Sequence, residues 1–145
     1  MILDVKRLRS SGKLESAIDF EHNLERELTD NPIYKILSPI KVKGLATLTG
    51  KHSVYVEGKI TYTLGGSCSR CLEELEKEYE VEFAEEVEDC GDGNYRLVND
   101  KVDLAEIVED TIITDLPLVF LCSEDCKGIC YRCGANLNKE KCKCK

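Results

Sequence analysis

The chain predicts an α+β fold: mainly antiparallel β sheet (a meander or a partly open barrel), one principal helix, and a C-terminal tail ordered by its cysteines. Three observations carry this. Two long stretches in the middle of the chain alternate apolar and polar residues or are rich in Val, Ile, Thr and Tyr. One later segment has the spacing of an amphipathic helix. Eight of the nine cysteines in the 145 residues fall into four close couplets, most of them in a stretch with few apolar residues.

Taken in order, Ile2 to Lys6 reads as a short first strand and Ser10-Ser11-Gly12-Lys13 as a loop. Leu14 to Leu28 is ambiguous. Ile18 and Phe20 alternate with polar neighbours, whereas Leu14, Ile18, Leu24 and Leu28 suit a helix. Thr29-Asp30-Asn31-Pro32 breaks the chain, because proline pushes the residue before it out of helical conformation. Ile40 to Leu48 mostly alternates, Gly50-Lys51-His52 fits a turn, and Val54 to Leu64 is the next strand, ended or kinked by Gly65-Gly66. Cys68 to Cys71 then sits at a reversal. Beyond it, Tyr79, Val81 and Phe83 alternate with Glu78, Glu80 and Glu82, the pattern of a strand with one dry and one wet face. Three consecutive strands joined by short turns make an antiparallel meander. Tyr95 to Val98 could add a short strand.

The helix is expected over about 103–116. Asp103 can cap its N-terminus, Glu106 lies three residues on, and Leu104, Ile107, Val108, Ile112 and Leu116 form the apolar stripe. Pro117 ends it. This divides the chain into a β-rich body, 1–121, and a cysteine-rich tail, 122–145, packed on that body.

The couplets are Cys68-Ser-Arg-Cys71, Cys122-Ser-Glu-Asp-Cys126, Cys130-Tyr-Arg-Cys133 and Cys142-Lys-Cys144; Cys90 stands alone. Two thiolates this close reach one metal ion from a single turn, and a tetrahedral zinc ion needs two such pairs. One or two Zn2+ ions per chain are therefore expected. Cys130, Cys133, Cys142 and Cys144 make the sharper site, since Gly134 suits the turn of a zinc knuckle and Asn136-Leu137-Asn138 the loop back to the metal. Cys68 and Cys71 are paired with Cys122 and Cys126 by elimination. Competing schemes put Cys126 in the tail site or pair Cys68 and Cys71 with Cys142 and Cys144. A disulfide framework would need an oxidising compartment. The N-terminal run from Met1 to Arg7 has neither the apolar core nor the cleavage site of a signal peptide, so a cytoplasmic protein with reduced thiols is expected.

The formal net charge of −8 argues against binding nucleic acid through the whole surface. The charge is unevenly spread. Residues 126–145 carry six basic groups and one acidic group, for +5, which leaves −13 on residues 1–125. Lys139, Lys141 and Lys143 make the tail a candidate contact for phosphate, although lysines also offset the −2 charge of a zinc tetrathiolate. From Glu73 to Asp89 ten acidic residues face one Lys77. Glu78, Glu80 and Glu82 are the candidate docking face for a basic partner; the plainer reading is a solvated surface. Catalytic patterns are absent: neither His22 nor His52 neighbours a nucleophile motif, both read as surface residues, and a closed tetrathiolate site leaves no position for substrate. No apolar run approaches the roughly 20 residues that span a bilayer.

Cys68-Ser-Arg-Cys71-Leu72, Asp103-Leu104 with Val108-Glu109-Asp110, Leu116-Pro117-Leu118, and Cys126-Lys-Gly-Ile-Cys130-Tyr-Arg-Cys133-Gly134 with Asn136-Leu-Asn138 together resemble the YceD family. The match is most specific from residue 68 onward. The resemblance implies a role in accumulation of large-subunit (23S) ribosomal RNA and in large-subunit assembly. Genes of the family commonly neighbour one for a zinc-binding large-subunit ribosomal protein, which implies a partner. Some members keep the first Cys-x-Arg-Cys element and lack the C-terminal cluster, which implies that Cys68/Cys71 and Cys130/Cys133 belong to different sites. No catalytic residues come with the family. The function expected is therefore that of a non-enzymatic assembly factor binding a large-subunit ribosomal protein and/or rRNA, with no membrane and no small-molecule substrate. The alternative is a zinc-stabilised protein-binding regulatory module unrelated to the ribosome. A Cys-x-x-Cys redox dithiol is a third class.

Overall fold

The computed structural model describes residues 2–24 and 27–144. Met1 and Lys145, and part of the ambiguous stretch 14–28, lie outside the described residues. Strand β1 (Ile2–Asp4) leads directly into helix α1 (Val5–Ser10), followed by β2 (Glu15–His22), β3 (Tyr34–Gly50), β4 (Ser53–Ser67), β5 (Glu74–Glu88), β6 (Lys101–Asp103) and α2 (Leu104–Asp115). β2 to β5 form a four-stranded antiparallel meander in sequence order, and β1 pairs with β6 antiparallel. Among the described residues β2 and β5 do not pair with each other, so the sheet is an open meander and no closed barrel forms.

The period-2 pattern sets the faces. Ile40, Val42 and Ala46 of β3, Val54, Val56, Ile60, Tyr62 and Leu64 of β4, and Phe83 and Val87 of β5 are buried in one core with Leu104, Ile107, Val108 and Ile112 of α2. Polar bonds fix the helix over the sheet. His22 Nε2 lies 2.9 Å from Glu109 Oε1, Tyr62 OH donates to Asp115 Oδ2 at 2.8 Å, and Tyr95 OH donates to Asp110 Oδ2 at 3.0 Å. Burial first, and then these carboxylates, push the Tyr62 and Tyr95 hydroxyls above their ordinary value, so both stay protonated donors.

Several expectations need correction. His22 is not a surface residue: its side chain is 16% exposed and tied to Glu109, because Glu15–His22 form a strand that brings it under α2. His52 is exposed in the β3–β4 turn. The first strand stops at Asp4, whose carboxylate accepts from Arg7 N–H at 2.9 Å and starts α1 in place of a longer strand. β3 begins six residues before Ile40. It absorbs Pro39 in a register shift between Leu37 and Lys41, since proline offers no N–H to a regular ladder. Gly65 and Gly66 do not end β4, which pairs through them to Ser67. Tyr95 to Val98 makes only isolated bridges.

Glycines open the sheet where two backbones approach. Gly44 and Gly58 are direct cross-strand partners, flanked in the same row by buried Ile18 and Phe83. A Cβ on Gly44 would lie 2.1 Å from the Glu57 carbonyl oxygen and 2.8 Å from Gly58 Cα. Gly44→Ala is therefore expected to destabilise the sheet by about 1–3 kcal/mol through forced backbone shifts. Denaturant melts should show a lowered midpoint; an unchanged midpoint would show that the strands part at no cost.

Candidate metal centres

Two turns of the same construction carry the Cys-x-x-Cys couplets. In the β4–β5 connection, Leu72 N–H donates to Cys68 O at 3.0 Å and Cys68 N–H to Glu73 O at 2.8 Å. In the tail, Gly134 N–H donates to Cys130 O and Cys130 N–H to Ala135 O, both at 2.9 Å. The residue four beyond the first cysteine is left-handed in each, φ 62° at Leu72 and 74° at Gly134. Glycine takes that conformation freely; Leu72 adopts it against its side chain and stands exposed.

The structure brings Cys68, Cys71, Cys122 and Cys126 together, and separately Cys130, Cys133, Cys142 and Cys144; within each group all four sulfurs lie within 4.8 Å of one another. In the first group, Cys68 and Cys126 sulfurs are 3.7 Å apart, as are those of Cys71 and Cys122. In the second the close separations are 3.3, 3.7 and 3.9 Å. A tetrahedral zinc with Zn–S of about 2.3 Å sets its sulfurs about 3.8 Å apart. A disulfide needs about 2.05 Å, and all nine cysteines are free thiols. Cys90 is exposed and joins neither group.

The surroundings suit thiolates. Cys122 N–H points at Cys68 Sγ (3.3 Å), Cys144 N–H at Cys142 Sγ (3.3 Å), and the Asn138 amide at Cys126 Sγ (3.2 Å). Burial opposes ionisation of Cys68, but N–H groups of Cys71, Arg70 and Cys122 outweigh it and lower the thiol to about 6. Cys133 is likewise lowered to about 6 by the N–H groups of Ala135 and Lys143. Within the same groups the Cys126 sulfur and burial push Cys122 up to about 12, and the Cys142 sulfur and burial push Cys144 up to about 12. Four thiolates this close repel one another. A divalent cation among them lets all four ionise, which is what a structural zinc supplies.

The first group is built across the fold. Cys68 and Cys71 sit at the end of the central hairpin. Cys122 and Cys126 are brought to them by Phe120, which is fully buried, packs edge-on to Tyr34 at 5.7 Å, and exchanges bonds with Ser69 (Ser69 N–H to Phe120 O, 2.6 Å; Phe120 N–H to Ser69 Oγ, 3.1 Å). Arg70 adds a bond to the Cys126 carbonyl at 3.0 Å.

Asn138 is a residue that sequence reasoning placed only in a loop. Its amide NH2 donates to Cys126 Sγ and its Oδ1 accepts from Lys127 N–H at 2.8 Å, so it links the second group's loop to a sulfur of the first group. No spacing rule marks it, because its partner lies 12 residues away. Asn138→Ala is expected to weaken zinc at the Cys68 group about 10- to 100-fold and leave the other site nearly unchanged. Competition with a chromophoric chelator measures this; equal loss at both sites would mean the substitution had unfolded the tail.

The remaining candidates are surface groups. Glu78, Glu80 and Glu82 are exposed in one row on β5, where Lys59 of β4 bonds Glu80 at 3.0 Å and approaches Glu82 at 3.9 Å. Lys139 folds back to pair with Glu73, Lys143 pairs with Glu140 at 3.6 Å, and Lys141 is exposed.

The family described as "Large ribosomal RNA subunit accumulation protein YceD" matches residues 56–145, which include both four-cysteine groups. Over 44 residues the chain is 39% identical to the chloroplastic "Large ribosomal RNA subunit accumulation protein YCED homolog 1" of Arabidopsis thaliana, covering 30% of this chain and 14% of that one. Its Zea mays namesake is 34% identical over 53 residues, 36% of this chain and 18% of that one. An uncharacterised protein of Mycobacterium tuberculosis is 28% identical over 100 residues, 60% and 46% of the two chains. The chain thus spans less than half the length of these curated relatives. No solved structure matches. With a family match over more than half its length, the chain belongs to the YceD family of large ribosomal RNA subunit accumulation proteins.

Proposed function

We propose that this protein is a non-enzymatic ribosome biogenesis factor that supports accumulation of large-subunit (23S) rRNA by binding a large-subunit ribosomal protein and/or rRNA. The observation that carries this reading is membership of the YceD family across residues 56–145, together with the names of the plant relatives. Two closed tetrathiolate sets fit structural zinc, one or two ions per chain, which order the tail. Cys68, Cys71, Cys122 and Cys126 hold one ion, and Cys130, Cys133, Cys142 and Cys144 the other. Such sites leave no coordination position for a substrate, in keeping with a binding role. The acidic row Glu78, Glu80 and Glu82 offers a surface to a basic protein. Of the tail lysines, Lys141 has no ion pair among the described residues, while Lys139 and Lys143 partly spend their charge on Glu73 and Glu140. No helix among the described residues is long and apolar enough to cross a membrane; the proposed compartment is the cytoplasm.

The test is sucrose-gradient sedimentation of a lysate with and without depletion of the protein. It is expected to travel with immature large subunits, and depletion is expected to lower large-subunit rRNA. A protein that stays at the top of the gradient, with unchanged rRNA on depletion, would overturn this function and leave a zinc-stabilised binding module.

A further inference from the structure

β5 is an edge strand of fifteen residues, hydrogen-bonded on one side to β4 along its whole length. On its other side, among the described residues, only the end is covered, where Leu97 N–H donates to Glu88 O at 3.0 Å. Bare edges of this length invite pairing with another chain, and addition of an extended segment to such an edge is a recurring mode of peptide recognition. The free edge also borders a cleft. Val81 to Glu85, Tyr95 and the Asp110–Asp115 end of α2 line this open cleft of about 440 Å³.

The two faces of this edge have different chemistry. Outward, Glu74, Glu76, Glu78, Glu80 and Glu82 form an unbroken row at every second residue, all exposed. Inward, Tyr79, Val81 and Phe83 are partly or wholly buried, and Tyr79 stacks on Tyr62 at 5.6 Å. Further along the inner face, Glu85, Asp110 and Asp115 border the cleft, with no cation in ion-pair distance of any of them among the described residues. A strand added to β5 would set its own alternate residues directly opposite these two rows. Opposite charges facing each other across strands stabilise, and like charges destabilise.

We infer that β5 is a docking edge for an extended segment of a basic partner protein, which adds as a fifth strand with Lys or Arg at every second position and apolar residues between. The basic residues lie over Glu78, Glu80 and Glu82, the apolar ones over Tyr79, Val81 and Phe83, and a further basic residue past Phe83 enters the cleft beside Glu85 and Asp110. Main-chain bonds supply affinity, and the alternation supplies register. An RNA strand is disfavoured at this edge by the carboxylates it would meet. The inference deepens the proposed partner binding by naming the chemistry of the partner, and it holds for any such segment, ribosomal or not.

The test uses the full chain and a synthetic eight-residue peptide of alternating lysine and valine. Its controls are the same peptide N-methylated at alternate residues, so that it cannot donate to β5, and a poly-uridylate strand. The alternating peptide is expected to bind at low salt and to slow amide exchange along Tyr79 to Phe83. N-methylation is expected to abolish binding. The triple variant Glu78→Gln/Glu80→Gln/Glu82→Gln, checked for an unchanged melting temperature, is expected to weaken it about tenfold. Equal binding of the methylated peptide would reduce the interaction to charge alone and overturn strand addition. So would absence of binding, or displacement of the peptide by poly-uridylate with loss of the β5 protection. The gradient result is independent: peptide binding with no ribosomal co-sedimentation would remove the ribosome and keep the docking edge, and the reverse would remove only the edge.

Discussion

Stripping metal from the protein with a strong chelator is expected to release residues 122–144 while β2 to β5 stay folded. The sheet and α2 have a core of more than a dozen fully buried side chains. The tail has almost none: beyond Phe120, the buried residues are Cys126, Gly128 and Ala135. Its order rests on the two cysteine groups and a few turn bonds, such as Leu137 N–H to Gly128 O at 2.9 Å. Structural zinc contributes about 10–16 kcal/mol in small modules, far more than those bonds can replace. Amide exchange should show protection lost in the tail and retained in the strands, and metal analysis should give two ions per chain before treatment. Replacing Cys68 and Cys71 by Ser should leave one ion, held by Cys130, Cys133, Cys142 and Cys144. If that variant lost both ions or neither, the grouping seen in the structure would not be the one that binds metal. Because the ligands must shed protons, affinity should fall as pH falls, most steeply below about pH 6, where Cys68 and Cys133 take up protons as well as Cys122 and Cys144.

Phe120→Ala is the substitution expected to cost most outside the cysteines, about 3–5 kcal/mol. The ring is fully buried against Tyr34, and Tyr34 OH donates to Pro117 O at 2.9 Å. This pair clamps the segment after α2 onto the sheet, and Ser69 of the first knuckle bonds the Phe120 backbone. The variant should therefore lose stability and also bind zinc more weakly at the Cys68 group, while the Cys130 group keeps its affinity. Thermal melts and chelator competition measure the two effects. Lost stability with unchanged zinc affinity would show that Cys122 and Cys126 reach their partners without the clamp.

Local chemistry was legible wherever one segment carries its own signal. Val54 to Leu64 and Tyr79 to Phe83 show their strand period because one face is dry. Asp103 marks the start of α2 because a carboxylate there meets the free N–H of Ala105, at 3.0 Å. The spacing within Cys68/Cys71 and Cys130/Cys133 marks knuckles because two sulfurs must converge from one turn. Gly134 is readable for the same reason; Leu72, in the same conformation without glycine, is not.

What only the tertiary structure decided depends on distance through space between residues far apart in sequence. Helix α1 is six residues long, too short to be stable by propensity, and exists because β1 pairs with β6 and Val5 and Leu8 are buried. Pro39 argues locally against a strand, yet β4 supplies enough partners on either side of the bulge to carry β3 through it. His22 and Glu109 meet across 87 residues, and Asn138 reaches a sulfur that belongs to the other cysteine group. The assignment of couplets is of the same kind. Any two pairs could complete a tetrahedron as far as spacing is concerned. The packing of Phe120 beside Ser69 is what carries Cys122 and Cys126 to Cys68 and Cys71 and leaves the tail to close its own group.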